Sequence, residues 1–364
     1  MEKGAGMDDR TFVYDQYDLN HAFGVSTSDI TNGVTLNFDD LLVKTWEIAQ
    51  SNAVSNYELK IECRRVPGPL GIVAQLNTQR TSNRRKPQVF NNVSLPFNPD
   101  QFNFTKIKQN ELLFNIYKKD GHSRTLVGSC VVNVSPFAKC HSLIVPDPNS
   151  CRPQIMAVDG IKLALELQAL SRNKTLVTVF NSMCGQASVN HLHLHCYYMP
   201  KINDEKQHVT LPMLQQTFTK TLKISKNCVL CKELPVPAFM FTISSADDIT
   251  LTAYDLTKIT DYFVEKDIAH NVVIIKSKDS TTLEAASEVT FPVIRVFLWA
   301  RKKLHDIKAD IKMAMGACEL AGHVFTGEKY HSLSEDGMLK VYDKVRLQDS
   351  VFQQIVQDVE AKLN

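Results

Sequence analysis

One short segment, residues 190–198, places three histidines in alternation with leucines. His191, His193 and His195 are separated by Leu192 and Leu194. Successive side chains of a β-strand point to opposite faces, so a strand here would put the imidazoles on one face and both leucines on the other. The pattern therefore predicts a strand whose leucines pack into a core and whose histidines line a site. Chance is a poor explanation for three histidines in register, since histidine is seldom buried without a partner.

The spacing of the histidines limits the chemistry that they can perform. At a rise of ~3.3 Å per residue, neighbouring members of the row lie ~6.6 Å apart and the outer two ~13 Å apart. A zinc ion with ~2.0 Å bonds to nitrogen can be reached by two neighbours, but hardly by all three. Two uses stay open. One is a metal site in which a histidine pair is joined by Cys140, Cys184 or Cys196. The other is a row of imidazoles along an extended anionic substrate, with the central imidazole as nucleophile.

Composition excludes several classes of function. The chain has 364 residues with 41 basic and 39 acidic side chains. This balance gives no one-signed field for general binding to nucleic acid or to a membrane surface. The first residues lack the apolar core of a signal peptide, and no apolar run approaches the length of a membrane span. We therefore expect a cytosolic protein that binds neither nucleic acid nor membrane.

The cysteines indicate a reducing environment. Nine of them are scattered at irregular spacing, which suggests free thiols rather than a disulfide framework. Cys228 and Cys231 form the one close pair. Because a thiol metal site of this type needs a second such pair, a structural role is favoured over metal binding.

Residue patterns along the chain predict mixed helices and strands. Residues 1–20 are polar, and we expect a flexible N-terminus there. Apolar spacing typical of helices occupies residues 38–49, 153–170, 256–269, 306–322 and 347–363. Strand-like segments occupy residues 111–117, 125–134, 175–180, 190–198, 238–243, 272–275 and 293–299. With no regular βαβ rhythm, the pattern predicts an α+β fold.

The order of these segments partly repeats. A strand, a helix and two more strands before residue 200 have counterparts after it, although the last strand of the second set carries Arg295 and no histidine row. This suggests a degenerate internal duplication. We therefore divide the chain into a catalytic half, residues 21–200, and a degenerate second half, residues 201–364, which together complete one catalytic domain.

The histidine row resembles the signature of the histidine-triad superfamily, in which the middle histidine attacks a nucleotide α-phosphate. A second element, the stretch from His141 to Pro146, resembles the upstream histidine and proline-terminated strand of those proteins. Within the superfamily the chain is similar to the GDP-D-glucose phosphorylase family, which is related to GDP-L-galactose phosphorylase and more distantly to galactose-1-phosphate uridylyltransferase. The segments that carry this likeness are residues 67–77, 84–87, 102–107, 187–198 and 318–323.

The resemblance implies a histidine-triad-like antiparallel sheet with packed helices and a reaction that needs no cofactor and no metal. The implied reaction is phosphorolysis of GDP-D-glucose by inorganic phosphate through a GMP-histidine. His193 would be the nucleophile, while His191 and His195 would donate hydrogen bonds to phosphoryl oxygens. The candidate substrate-binding residues are His141, Asn181, Gly185, Gln186, Ser188, Arg65, Arg84, Arg85, Lys86 and Lys106. The polar members of this set are equally compatible with ordinary turn chemistry, and the basic loop is equally compatible with a solvated turn.

Three alternatives stay open at this point. The uridylyltransferase branch has glutamine where this chain has His195, and histidine there is the pattern of hydrolases, so the acceptor could be phosphate or water. A non-catalytic guanine-nucleotide-binding protein is a second alternative, although a degenerate module would be expected to lose its nucleophile first. The zinc site with a histidine pair is the third.

Overall fold

The computed structural model describes residues 10–24, 37–83, 88, 90–203, 210–277, 293–311, 313–327 and 329–364. The elements of the first half are β1 (Thr11–Tyr14), α1 (Gln16–Gly24), α2 (Phe38–Ser51), β2 (Glu62–Arg65), β3 (Val73–Leu76), α3 (Thr78–Asn83), β4 (Leu112–Asp120), β5 (Ser123–Val132), β6 (Ser142–Pro146), α4 (Val158–Leu170), β7 (Leu176–Asn181) and β8 (Leu194–Tyr198). Those of the second half are β9 (Thr221–Lys223), β10 (Cys228–Cys231), β11 (Ala238–Ile243), α5 (Ala246–Glu265), β12 (Ala269–Ser277), β13 (Val293–Arg301), α6 (Leu304–Ile311), α7 (Ala317–Leu320), β14 (His323–Thr326), α8 (Glu335–Val345) and α9 (Asp349–Leu363).

Within the described ranges, eleven strands form one sheet in the order β1-β4-β5-β6-β8-β7-β12-β13-β11-β10-β9. Neighbouring strands are antiparallel except β1 and β4, which are parallel. The order β4-β5-β6-β8-β7 of the first half recurs in the second half as β9-β10-β11-β13-β12, with α4 and α5 at the same place in each series. The α+β class is confirmed, and this repeated strand order is the arrangement that an internal duplication produces.

The two faces of the sheet are covered differently. One face packs against α1, α2, α4, α5 and α9 and carries Leu192 and Leu194. The other face carries Val179, Tyr197 and Trp299 and packs against α6, α7 and α8 and against a small sheet of the order β14-β3-β2. Side chains at alternate positions of β8 go to opposite faces, so the histidines lie on the side of the small sheet. The leucines pack into the helical core, as predicted.

Local sequence signals explain where the main helices begin. Asn37 caps α2 by accepting a hydrogen bond from the backbone of Asp40 at 2.8 Å. Ser245 and Asp248 form a capping box at the start of α5, which satisfies backbone donors that a helix leaves unpaired at its first turn. The helix α5 therefore begins before the predicted helix over 256–269 and ends four residues before it. The N-cap Ser245 lies eleven residues before the periodic apolar segment that was recognised.

Three parts of the sequence-based description need correction. Residues 11–14 and 16–24 form β1 and α1, with Tyr14 and Leu19 buried, so the expected flexible segment does not extend over them. The helix predicted over 306–322 is instead α6 and α7, separated by a break before Gly316. The helix α8 was not predicted. No helix of the described residues is long and apolar enough to cross a membrane.

We expect Leu194→Ala to lower the free energy of unfolding by about 3 kcal/mol, because the truncation removes apolar contacts and leaves a cavity under the histidine row. Leu194 is 1% exposed. Leu222 on the edge strand β9 is 40% exposed and offers a matched control. Denaturant unfolding of both alanine variants checks this, and equal losses would contradict the assignment of the leucines to the core.

Candidate active site

The histidine row is only partly a β-strand. The strand β8 begins at Leu194, and residues 191–193 precede it outside any strand. The prediction of a regular strand over 190–198 is therefore wrong for its first four residues. The rings of His193 and His195 are still neighbours, with centroids 5.2 Å apart. His191 is linked to His193 through its backbone rather than by lying on the same strand face.

The tautomer of His193 is determined by one hydrogen bond. The Nδ1 atom of His193 lies 2.7 Å from the carbonyl oxygen of His191. A carbonyl can only accept, so Nδ1 carries the proton and donates it. The lone pair of the neutral ring is then on Nε2. His193 is 2% exposed, with the ring of Phe104 at a centroid distance of 5.0 Å. A neutral imidazole held in this tautomer can act as a nucleophile through Nε2.

His191 has the opposite tautomer. Its Nδ1 accepts a hydrogen bond from the backbone N–H of Phe104 at 3.0 Å, so the ring proton is on Nε2. That Nε2 is buried and has no hydrogen-bond partner among the described residues. Burial lowers the pKa of His191 to about 4, while the nearby Pro148 carbonyl, which does not meet hydrogen-bond geometry with Nε2, favours the charged ring and acts in the opposite direction. A buried N–H without a partner costs free energy, so this atom suits an anionic oxygen of a ligand.

His141 and His195 form a hydrogen-bonded pair. His141 Nδ1 accepts from the backbone N–H of Phe137 at 3.2 Å, so the ring proton is on Nε2, 3.0 Å from His195 Nδ1. The side-chain amide nitrogen of Asn133 also lies 3.2 Å from His141 Nε2, but it is a donor and cannot accept this proton. His195 Nδ1 therefore accepts, and His195 carries its own proton on Nε2. His141, a candidate substrate-binding residue, thus contacts His195 and orients its ring.

Burial keeps this pair neutral. It lowers the pKa of His141 well below the ordinary value, and the charges of His195 and Arg80 act in the same direction. Burial, then the charges of His193 and Arg80, likewise lower the pKa of His195. Neutral rings have a defined donor and a defined acceptor, so the two flanking histidines both present Nε2–H while His193 presents a lone pair.

The candidates of the turn after β7 have mixed roles. The Asn181 side-chain oxygen accepts from Asn271 at 2.7 Å and from the backbone of Ala317 at 2.9 Å, so it links the two halves. Gly185 is enclosed, since a Cβ there would lie 2.7 Å from Ser182 Oγ. Gln186 has a φ of 91° and a buried Oε1 without a partner among the described residues. Ser188 is half-buried in the same turn.

The basic candidates are only partly described. Arg84, Arg85 and Lys86 lie outside the described residues. Lys106 is exposed and its ammonium donates to the carbonyls of Asp100 and Gln101 at 3.1 and 3.0 Å. Arg65 is on β2 in the small sheet, beside Gly71. The Lys106 ammonium thus binds the loop before it rather than a histidine of the row.

Two residues near the row were not predicted as site residues. Arg80, on α3, donates to the carbonyl of Ser135 and lies 5.4 Å from the ring centroid of Phe137. In the sequence it lies four residues before Arg84, but this position alone does not mark it as a site residue. Gln154 binds the backbone of His193 on both sides, at 2.9 Å to N and 3.0 Å to O. No local pattern marks Gln154, because it lies in a segment that reads as the start of a helix.

The described residues do not contain a group of three histidine, cysteine or acidic side chains arranged to hold a metal ion. Cys140 and Cys196 are buried, and Cys184 donates to the carbonyl of Phe90 at 3.3 Å. Cys228 and Cys231 are buried, unpaired residues of β10. The Nδ1 atoms of His191, His193 and His195 each take part in a hydrogen bond.

The fold has a counterpart among solved structures. A crystal structure of yeast Ap4A phosphorylase in complex with Ap4A superposes with a TM-score of 0.54 at 13% identity, over 85% of this chain and 97% of that chain. At this identity the likeness concerns the fold alone. The large, mostly antiparallel sheet with packed helices and the histidine row that leads into β8 match the histidine-triad-like fold expected from the sequence.

Sequence comparison is more specific. Family models described as the GDPGP1-like N-terminal and C-terminal domains match residues 37–197 and 212–364. GDP-D-glucose phosphorylase 1 of Homo sapiens is 33% identical, over 97% of this chain and 90% of the relative. The Xenopus laevis protein of the same name is 33% identical, over 88% and 87%. GDP-L-galactose phosphorylase 2 of Arabidopsis thaliana is 23% identical, over 91% and 77%. The chain belongs to the GDPGP1-like family, which includes the animal GDP-D-glucose phosphorylases.

Burial of neutral histidines predicts a loss of stability in acid. Burial lowers the pKa of His270, packed against Phe180 and Phe263, to about 4. The unfolded chain takes up the proton near pH 6.5, which the folded chain resists until about pH 4. Stability is therefore greatest above about pH 6.5 and decreases as the pH falls toward 4.

We expect His270→Phe to reduce the dependence of the melting temperature on pH in this range, because one buried histidine fewer titrates. His122 is exposed in the turn between β4 and β5, so His122→Phe should leave the dependence unchanged. Melting temperatures measured between about pH 7.5 and 4.5 test this. The same slope in both variants would show that the buried imidazole does not control acid stability.

Proposed function

We propose that the protein catalyses phosphorolysis of GDP-D-glucose, giving GDP and glucose 1-phosphate through a GMP-histidine. Membership of the GDPGP1-like family supports the substrates. The observation that carries the mechanism is the 2.7 Å hydrogen bond from His193 Nδ1 to the His191 carbonyl, which puts the lone pair on Nε2.

In the first step, Nε2 of His193 attacks the α-phosphorus. A phosphorus–nitrogen bond forms, and the bond from the α-phosphorus to the bridging oxygen breaks with its electron pair on the departing glucose 1-phosphate. The second ionisation of a phosphate ester lies near pH 6, so this leaving group needs no strong general acid. The positive charge that develops on the His193 ring is stabilised because Nδ1–H already donates to a carbonyl.

In the second step, an oxygen of inorganic phosphate attacks the same phosphorus. The phosphorus–nitrogen bond breaks, GDP is released, and His193 regains its neutral tautomer. His191 and His195 each present Nε2–H and would donate to the non-bridging oxygens in both steps. Because Phe104 covers His193, we infer that its ring moves aside when the nucleotide binds.

Inorganic phosphate, the acceptor of the second step, is a dianion and needs a cationic side chain near the histidine row. Among the described residues, Arg80 is the arginine whose charge acts on both His141 and His195. Its guanidinium is half-buried beside Phe137, where an arginine can bind a dianion by two parallel hydrogen bonds. We infer that Arg80 contributes to the phosphate site, alone or with the basic segment 84–86.

We also infer that residues 21–200 and 201–364 act as one catalytic domain. Supporting this, β7 and β12 pair across the boundary in one continuous sheet. The nine unpaired cysteines support a reducing location such as the cytosol.

The reaction can be assigned by incubating the protein with GDP-glucose, with and without phosphate, and identifying the guanine product. We expect GDP to form only when phosphate is present. Formation of GMP in both mixtures would mean hydrolysis, and the absence of product would mean a binding protein. Either outcome would contradict the proposal.

We expect His193→Asn to abolish GDP formation, because asparagine cannot form the covalent intermediate. The matched control is His122→Asn, which changes an exposed histidine of the β4–β5 turn and should keep full activity. Product analysis by chromatography measures both. Near-normal turnover of His193→Asn would exclude the covalent route.

We expect Arg80→Ala to raise the KM for phosphate by about 10-fold or more, since a hydrogen bond to a charged group is worth about 1.5–3 kcal/mol. The KM for GDP-glucose should change less, and Arg80→Lys should retain part of the effect. Arg124→Ala, on the exposed part of β5, is the control. An unchanged phosphate KM in Arg80→Ala would remove Arg80 from the acceptor site.

A further inference from the structure

The pairing of β7 with β8 stops next to the nucleophile. The paired residues run from Leu176 with Tyr198 to Val179 with His195. In the same register, the following pair on this face would be Asn181 with His193. That pair does not form, and the side-chain amide of Gln154 lies between the two residues instead.

Gln154 replaces the missing strand contacts with three hydrogen bonds. Its Oε1 accepts from His193 N at 2.9 Å, and its Nε2 donates to His193 O at 3.0 Å and to Asn181 O at 3.0 Å. A carboxamide has the same donor and acceptor as a peptide group, so one side chain can take the place of a short piece of strand. Gln154 is 1% exposed, and each of these bonds is therefore costly to lose.

The segment that carries Gln154 is itself held against the row. Gln154 N donates to Asn190 Oδ1 at 2.9 Å, and Asn190 Nδ2 donates to the carbonyl of Pro96 at 2.9 Å. Two residues before Gln154, the carbonyl of Arg152 accepts a hydrogen bond from Leu192 N at 2.9 Å. Residues 152–154 thus run beside residues 190–193 and occupy the place of a neighbouring strand.

This insertion has a consequence for the His193 ring. In a regular antiparallel ladder the carbonyls point sideways to the adjacent strands. By leaving the ladder before β8 begins, the chain can turn the His191 carbonyl to within 2.7 Å of His193 Nδ1. The hydrogen bonds on N and O of His193 then fix the peptide on which that ring is mounted.

We propose that Gln154 is a positioning residue, which holds the His193 backbone so that its ring keeps the Nδ1–H tautomer and directs Nε2 at the α-phosphorus. The effect of Gln154 on the reaction rate rests on the proposed phosphorolysis. The effect of Gln154 on the His193 tautomer does not depend on the reaction, because the tautomer is a property of the protein without substrate.

The experiment compares Gln154→Leu with a matched control. Gln168 is also fully buried, and it binds β7 through Leu176 O and Thr178 Oγ1, both at 3.0 Å, at the end of β7 far from Asn181. Both leucine variants lose buried amide hydrogen bonds. The readouts are thermal stability, the His193 tautomer from nitrogen chemical shifts of ¹⁵N-histidine-labelled protein, and the rate of GMP transfer to the enzyme in a single turnover. His193→Asn identifies the His193 signals.

We expect both leucine variants to lose stability, but Gln154→Leu alone to give a mixture of His193 tautomers. The rate of GMP transfer should fall about 100-fold in Gln154→Leu, the size of effect that a misplaced reacting group produces, with little change in KM. Gln168→Leu should keep the rate. An unchanged tautomer in Gln154→Leu, or equal rate losses in both variants, would overturn the proposal. A wild-type protein that does not act on GDP-glucose would contradict the proposed function and leave the tautomer comparison valid.

The isosteric variant Gln154→Glu covers the case in which Gln154→Leu does not fold. An ionised carboxylate would face two carbonyl oxygens without a proton to donate, whereas the protonated acid restores one donor. The rate relative to wild type should therefore rise as the pH is lowered from about 8 to about 6. A ratio that does not change with pH would count against a positioning role.

Discussion

The hydrogen bond from His193 Nδ1 to the His191 carbonyl is the contact on which the proposed chemistry depends. It determines which nitrogen carries the proton and which has the lone pair. The two flanking histidines have the reverse tautomer because their Nδ1 atoms accept from Phe104 N and from His141. The tautomer of each imidazole is thus determined by a neighbouring group that can only donate or only accept a hydrogen bond at that position. The result is one nucleophilic nitrogen between two N–H donors.

The fold around the row serves to keep those neighbours in place. Phe137 donates its N–H to His141 and accepts at its carbonyl from Gln75 at 2.6 Å. Gln75 in turn accepts from His323 at 2.7 Å, and His323 accepts from Tyr197 at 3.1 Å. The small sheet is therefore connected by hydrogen bonds to the same strand that carries His195. Burial of these groups makes each lost hydrogen bond costly, which favours a single arrangement.

Much of this architecture follows from the residue pattern, and the reasons for the exceptions are local. The β-branched stretch of β7 and the apolar periodicity of α4 are strong short-range signals and were recognised. The alternation of His191 to His195 predicted the burial of both leucines, but it could not show that the strand begins at Leu194. That start depends on Gln154, about forty residues earlier in the chain, whose amide takes the place of a strand. The same limit applies to Arg80, because nothing in its sequence neighbourhood indicates Ser135 or Phe137 as contacts. Residue type and alternation identify a site, whereas side-chain to backbone contacts between distant segments determine how it is built.

The covalent intermediate can be tested through the configuration of the α-phosphorus. GDP-glucose with a chiral sulfur-substituted α-phosphate would be converted with inorganic phosphate, and the configuration of the resulting sulfur-substituted GDP determined. Each in-line displacement inverts the phosphorus, so attack by His193 followed by attack by phosphate predicts net retention. Net inversion would mean a single direct displacement by phosphate, and it would contradict the role assigned to His193.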